Sequence, residues 1–260
     1  MRCIILAAGE GIRMRPLTLA TPKPMIKICG RPLLEYIIDA LPSGVDELVL
    51  VVGYLRDQIR DYFGDNFSPA PFLDCVSRNS NFPVHKRCGV RRFKITYVVQ
   101  ENKLGTYHAL KLCEHLLHSG ERFLLIYADD LHDPRALKLC AESENPSLVI
   151  DESKTPNRFG VVELAGDGSV AGIEEKPNNP KTNLVLTGVQ LLTKEVMNFP
   201  AGKHSNGEYY LSDSIAQMIA AGIKVYAIKT NFWLPIGYPE DIKKAEKLLC
   251  PQSHEARSKK

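Results

Sequence analysis

Residues 6–25 read LAAGEGIRMRPLTLATPKPM. They follow the apolar run Cys3-Ile4-Ile5-Leu6 and set two glycines, Arg13, Arg15 and Lys23 before the next apolar stretch. A buried strand that runs straight into a glycine-rich turn fits the first strand of an α/β core. Gly9-Glu10-Gly11 falls short of a dinucleotide fingerprint, because position 14 is Met, and no Gly-Lys-Ser/Thr follows to make a P-loop. The physical content survives both failures. Bare backbone lets N–H groups approach a phosphate closely. Arginine forks match phosphate oxygens, and Lys23 adds a point charge. A tight turn with solvated charges accounts for the glycines alone; with Arg13 and Pro22-Lys23-Pro24 added, phosphate binding is the better reading.

Outward from this loop, apolar runs alternate with helical patterns. Strands are predicted over 2–6, 47–52, 94–100, 123–127 and 147–151, and helices over 33–40, 54–63, 105–117 and 134–143. This rhythm predicts a mostly parallel sheet covered on both faces. Ligands of such sheets sit beyond the carboxyl ends of the strands, so residues 9–15, 100–105 and 128–130 should converge on one pocket. The second half reads as shorter strands over 160–164, 170–175, 184–192 and 224–228. Helices follow over 212–221 and 239–249, the latter opened by Pro239 with Glu240 and Asp241 in its first turn. The expected organisation is one domain over 1–250, with a nucleotide-binding part to about 150, a sugar-binding part beyond it, and a disordered tail over 251–260. Residues 65–92 break the rhythm as a proline-rich insertion: a lid, an interface or a surface loop. Cys75, His85 and Cys88 within it fall one short of the four ligands of a structural zinc.

The bulk properties narrow the class. The chain has 260 residues, 44% of them hydrophobic, which suffices for one large core. A net charge of +3 with interspersed signs demands neither nucleic acid nor membrane. No apolar run is long enough to span a bilayer, and the short apolar start reads as a core strand rather than a signal peptide. Seven scattered cysteines, an odd number, suit a reduced, cytoplasmic protein.

Leu6-Ala-Ala-Gly-x-Gly-x-Arg-Met-x-Pro-Leu-Thr followed by Pro22-Lys23-Pro24-Met25 resembles the signature of sugar-1-phosphate nucleotidylyltransferases, the sugar nucleotide pyrophosphorylases that make NDP-sugars. Further stretches agree in order: Gln100-Glu-Asn-Lys-Leu-Gly105-Thr106, Tyr127-Ala-Asp129-Asp130, Glu174-Glu175-Lys176-Pro177, Leu186-Thr187-Gly188-Val189, and Gly207-Glu208-Tyr-Tyr-Leu-Ser-Asp213. The resemblance spans nearly the whole chain except 65–92 and the tail. It implies an α/β, Rossmann-like mixed and mostly parallel sheet flanked by helices, the nucleotide-diphospho-sugar transferase fold. It also implies a Mg²⁺-dependent transfer of a nucleotidyl group from a nucleoside triphosphate to a sugar 1-phosphate, with release of pyrophosphate. By the same resemblance Arg13, Lys23 and Asp129 are catalytic, and Asp129 holds the metal. Leu6, Ala8, Gly9, Gly11, Gln100, Gly105 and Thr106 bind the nucleotide, and Glu175, Lys176 and Gly188 bind the sugar phosphate. UTP, with dTTP next, is the favoured donor, because Gln-x-x-x-Leu-Gly-Thr with His108-Ala109 resembles relatives that use it; a glutamine amide at position 100 can pair with a pyrimidine edge and also with other bases. Oligomeric state is left open, although relatives often form homo-oligomers.

Each residue has a plainer reading. Asp129-Asp130 suits a turn or cap before Pro134, Gln100 a solvated strand end, Glu174-Glu175-Lys176 surface charge, and Tyr209 and Tyr210 packing. One departure bears on function. The family's Trp-x-Asp-x-Gly carries a second metal-binding aspartate, whereas here the run is Trp233-Leu234-Pro235-Ile236-Gly237. Asp129 would then act with phosphate oxygens and waters, or Asn231 or Asp213 would substitute. The alternative is an inactive relative that binds nucleotide or sugar phosphate as a signal. A phosphocholine cytidylyltransferase on the same core is a nearer rival than an NAD-dependent oxidoreductase.

Overall fold

The apolar runs around Ile4 and Val49 lie side by side as parallel strands, with Ile4 opposite Val49. Alternate residues of both runs feed two separate cores. Cys3, Ile5, Leu48 and Leu50 enter one, and Ile4, Val49 and Val51 enter the other. Period-two alternation inside an unbroken apolar run is what a sheet buried on both faces requires. The computed structural model describes residues 1–69 and 91–250. The strands among them are β1 (Arg2–Ala7), β2 (Lys27–Ile28), β3 (Arg31–Pro32), β4 (Glu47–Val52), β5 (Asn66–Phe67), β6 (Phe93–Val99), β7 (Arg122–Tyr127), β8 (Asp130–His132), β9 (Ser147–Glu152), β10 (Gly160–Leu164), β11 (Val170–Glu175), β12 (Leu184–Thr193), β13 (Tyr226–Lys229) and β14 (Trp233–Pro235). The helices are α1 (Leu33–Ala40), α2 (Arg56–Phe63), α3 (Gly105–Lys111), α4 (Pro134–Glu142), α5 (Leu211–Ala220) and α6 (Pro239–Leu249).

The main sheet runs β11-β10-β12-β7-β1-β4-β6-β5, with β9 and β13 branching from β12. Its centre, β7-β1-β4-β6, is parallel, and β12 joins antiparallel to β7. Residues of α1, α2, α4 and α6 bury in one core, and those of α3 and α5 in the other. The mixed, mostly parallel sheet expected from the rhythm is therefore present. Three helices are shorter than predicted, α4 by a single residue. α2 starts at Arg56, and α3 stops at Lys111, after which the chain tightens into a 3₁₀ turn over Glu114–Leu116. The short pair β8–β14 carried no alternation of its own to reveal it; it sets Pro235 opposite Asp130. The predicted zinc candidates Cys75, His85 and Cys88, most of the insertion, and the tail lie outside the described residues.

The thiols differ from the sequence expectation. Cys3, Cys113 and Cys140 are free and buried, but Cys29 and Cys250 form a disulfide across a sequence separation of 221. It fastens the end of α6 to the turn between β2 and β3.

Candidate active site

The loop after β1 is shaped by its own backbone. Gly11 adopts φ 63°, and a β-carbon there would lie 2.9 Å from Thr18 Cγ2 and 3.0 Å from Lys23 Cβ. Its carbonyl accepts from Met14 N (2.8 Å) and Thr18 Oγ1 (2.8 Å), which turns the chain so that Arg13 stays exposed. Glu10 in this loop pairs with Lys103, from the segment after β6, so the two strand-end loops are tied together.

Lys23 is buried, and its Nζ donates to Asp129 Oδ2 at 2.9 Å. No protein donor among the described residues meets the other carboxylate oxygen. Burial alone would raise the Asp129 carboxyl, but Lys23, with help from His132 and Arg13, holds it below the ordinary range. Its neighbour behaves oppositely. Asp130 accepts from Trp233 Nε1 (2.8 Å) and Ile236 N (3.4 Å), and burial together with the charge of Asp129 pushes it up to about 8. Adjacent carboxyls thus divide into an ionised and a protonated one. The reading of the pair as a helix cap does not hold, because Asp133 caps α4 by accepting from Arg135 N at 2.9 Å. The turn reading does, since residues 128 and 129 turn the chain from β7 into β8.

On the other side of the site, Glu175 closes β11. Its carboxylate accepts from Ser212 Oγ (2.7 Å) and pairs with Lys176 Nζ (2.9 Å). Lys176 itself has φ 45°, and its ammonium lies 4.1 Å from the centroid of the Tyr210 ring. Burial, which alone would lower it, is outweighed by Glu175 and Tyr210, and the ammonium is held above its ordinary value. Gly188 sits where β12 shifts register, at φ 86°, and a β-carbon there would meet the Tyr127 ring at 2.8 Å. At the end of β6, Gln100 Nε2 lies 3.1 Å from Gly105 O, to which it donates, and 3.0 Å from His108 Nδ1.

Two cavities open here. The smaller, about 390 Å³, is lined by Leu6, Ala8, Gly9, Gly11, Gln100 and Gly105. The larger, about 570 Å³, is lined by Glu175, Lys176 and Gly188. Arg13, Lys23, Thr106 and Asp129 line both and stand where they meet. Every residue expected to be catalytic, nucleotide-binding or sugar-phosphate-binding therefore lines this paired site, whereas Arg15 does not. Asp213 does not; it accepts from or pairs with His204 Nε2 at 2.7 Å, and neither it nor Asn231 lines either cavity. Sequence reasoning missed Tyr127, Arg158, Trp233 and Tyr238 as lining residues and placed Tyr210 in the packing. The signals in the sequence were the Trp-x-Pro-x-Gly-Tyr run for Trp233 and Tyr238 and the Tyr127-Ala-Asp129-Asp130 stretch for Tyr127; Arg158 had none.

The arrangement can hold a polyphosphate against the first loop and a second phosphate beside Lys176, with a lysine–carboxylate pair between them. The model of the nucleotidyl transferase family matches residues 2–252. The UTP–glucose-1-phosphate uridylyltransferase AglF of Haloferax volcanii is 30% identical over 98% of this chain and 99% of its own length. The bifunctional protein GlmU of Methanocaldococcus jannaschii is 33% identical over 96% of this chain, which spans 54% of that protein. Among solved structures, UDP-glucose pyrophosphorylase complexed with UDP-glucose superposes with a TM-score of 0.72 over 95% of this chain and 97% of that one, at 24% identity. With a family match across almost all its length and a full-length relative at this identity, the chain belongs to the nucleotidyl transferase family and is a nucleotidyltransferase.

Proposed function

We propose that this enzyme transfers a nucleotidyl group from UTP or dTTP to a sugar 1-phosphate, with Mg²⁺, and releases pyrophosphate. The observation that carries this reading is the meeting of the two cavities at Arg13, Lys23 and Asp129. A donor in the smaller cavity would present its α-phosphorus to an acceptor phosphate in the larger one. The sugar phosphate oxygen then attacks in line, and the pyrophosphate leaves toward Arg13. Lys23 and Lys176 neutralise charge as it builds on the phosphoryl oxygens, so catalysis is positioning and electrostatics without a covalent enzyme intermediate.

The donor set suits magnesium sparingly. Among the described residues no cluster of three or more His, Cys, Asp or Glu could hold a metal, and Pro235 offers no ligand. Asp129 keeps one oxygen free on the boundary of both cavities and stays ionised. One carboxylate with substrate phosphates and waters is an ordinary magnesium environment. When bound there, the ion would screen the polyphosphate and favour departure of pyrophosphate.

The base preference rests on Gln100. Both hydrogens of its amide nitrogen have partners in Gly105 O and His108 Nδ1, which leaves the carbonyl oxygen for the base. An acceptor there suits the N3–H of uracil or thymine, and it could also take the N4 amino group of cytosine. Two rings of the larger cavity bear on the phosphocholine cytidylyltransferase reading. Tyr210 already carries Lys176, and Tyr238 carries Arg13 and Arg158, so neither of these two rings is free for a quaternary ammonium. The setting we propose is cytoplasmic.

The test is pyrophosphate release with UTP, dTTP, GTP, CTP and ATP crossed against sugar 1-phosphates and phosphocholine, with and without Mg²⁺. Release that requires UTP or dTTP and a sugar 1-phosphate is expected. Silence across the panel from folded protein would favour the reading of Pro235 as the mark of an inactive binding protein. In the active pair, Asp129→Ala should lower kcat by about 100-fold or more with the circular dichroism unchanged; an active variant would remove Asp129 from the chemistry.

A further inference from the structure

Two arginines from opposite sides of the site converge on one tyrosine. Arg13 comes from the loop after β1. Arg158 ends the 3₁₀ turn Pro156–Arg158 that leads into β10. Between them stands Tyr238, the residue before α6. Arg158 Cζ lies 4.9 Å and Arg13 Cζ 5.4 Å from the centroid of the Tyr238 ring, and Arg158 Nη2 donates to the Tyr238 hydroxyl at 2.7 Å. All three line the larger cavity.

The charge there is not balanced. Asp129 is paired with Lys23, Glu175 with Lys176, and Asp241 with Lys244. Asp130 is held by Trp233 and Ile236. Of the carboxylates on the cavity wall only Glu240 has no such partner, and no ion pair among the described residues involves Arg13 or Arg158. The face of a tyrosine ring relieves a guanidinium only in part. The ring that gathers them is itself anchored, since Asp241 Oδ2 accepts from both Tyr238 N (2.9 Å) and Gly237 N (3.1 Å). A fixed platform that holds two unneutralised guanidinium forks toward one cavity is built for an anion with several oxygens. It also lies three residues beyond Pro235, on the stretch of wall where a carboxylate would have repelled such an anion.

We propose that Arg13 and Arg158, held on Tyr238, form a two-arginine clamp for a substrate phosphate, with Arg158 a binding residue and Tyr238 a positioning residue. The proposal rests on the nucleotidyl-transfer reading. Two sources supply that chemistry: the β,γ end of the triphosphate, which leaves as pyrophosphate, and the phosphate of the sugar.

Calorimetric titration of the full chain with inorganic pyrophosphate, and separately with glucose 1-phosphate, tests the clamp and tells the sources apart. Arg158→Gln should weaken one of the two by at least about tenfold, and Arg158→Lys by less, because it keeps the charge and loses the fork. Tyr238→Leu should reproduce part of the loss, and Tyr238→Phe, which keeps the ring, less of it. Loss confined to pyrophosphate assigns the clamp to the leaving group; loss confined to glucose 1-phosphate assigns it to the acceptor. Steady-state assays should show the matching KM rising more than kcat falls, which a merely structural role for Arg158 would not produce. Arg158→Gln with both affinities within twofold of the parent, at an unchanged melting temperature, overturns the clamp. So does a parent chain that binds neither ligand. Turnover of the parent in the pyrophosphate-release assay decides the underlying reading separately.

Discussion

Asp130 is the residue at which the site stores a proton. It is buried beside an ionised neighbour, and its carboxyl rises from 3.8 to about 8. In the unfolded chain the same carboxyl is ionised above its ordinary range, so folding takes up a proton between that range and about pH 8, and stability falls as pH rises across the window. His132 works the other way. Burial lowers it from 6.5 to about 4, so it removes stability only as pH falls below 6.5. Between about 6.5 and 8, Asp130 therefore acts without that opposition. One proton over such a span is worth on the order of 1–2 kcal/mol. In chelator, the urea midpoint of the parent should fall from pH 6.5 to 8, and Asp130→Asn should flatten the slope. A parent curve as flat as the variant's would show that Asp130 is already ionised. Little of this could be read from the chain. Asp129-Asp130 offers two identical side chains, and the resemblance singles out the first. What separates them is Lys23 on one and the Trp233 indole on the other, both more than a hundred residues distant in sequence.

At the scale of elements, the pattern of apolar runs was legible because the sheet centre is buried on both faces. The interiors of β1 and β4 are apolar throughout, and α1 matches its predicted span because Leu33, Leu34, Ile37, Ile38 and Leu41 recur at helical spacing in the sequence, although the structure also buries Glu35 and Tyr36. The short strands were not legible. β8 and β14 hold three residues each, and what pairs them is a tertiary contact. The break in β12 was visible only as a glycine. Its role is steric: Gly188 stands at positive φ with its backbone against Tyr127, whose ring lies on the wall shared by both cavities. Gly188→Ala should cost about 1–3 kcal/mol, part from the backbone conformation and part from the ring. Tyr127→Leu in the same chain should recover the second part, giving a coupling energy of about 0.5 kcal/mol or more in a urea double-mutant cycle. Strict additivity would mean that the new methyl group never meets the ring.

Across the whole molecule, the convergence of three strand-end loops was foreseeable from sheet topology, whereas the covalent closure was not. Seven cysteines without a tight pair carry no proximity information, and Cys29 and Cys250 meet only because α6 returns across the core that α1 also fills. The closure has a functional geometry. α6 follows Tyr238 on the cavity wall, carries Asp241 there in its first turn and is followed by Cys250, while Cys29 lies six residues after Lys23. Cross-linking so long a loop restricts the unfolded chain by an amount typically worth about 2–4 kcal/mol. For a domain of this size that corresponds to a melting temperature roughly 5–15 °C lower after reduction. Cys250→Ser should melt at the reduced temperature whether or not dithiothreitol is present, which separates this bond from any made by Cys75 or Cys88. If dithiothreitol leaves the parent unchanged, the two sulfurs are thiols in solution, and packing alone holds α6 against the site. If it lowers the melting temperature of the parent and not of the variant, the wall that carries Tyr238 is fastened at its far end by a bond that the reducing state of the surroundings can open.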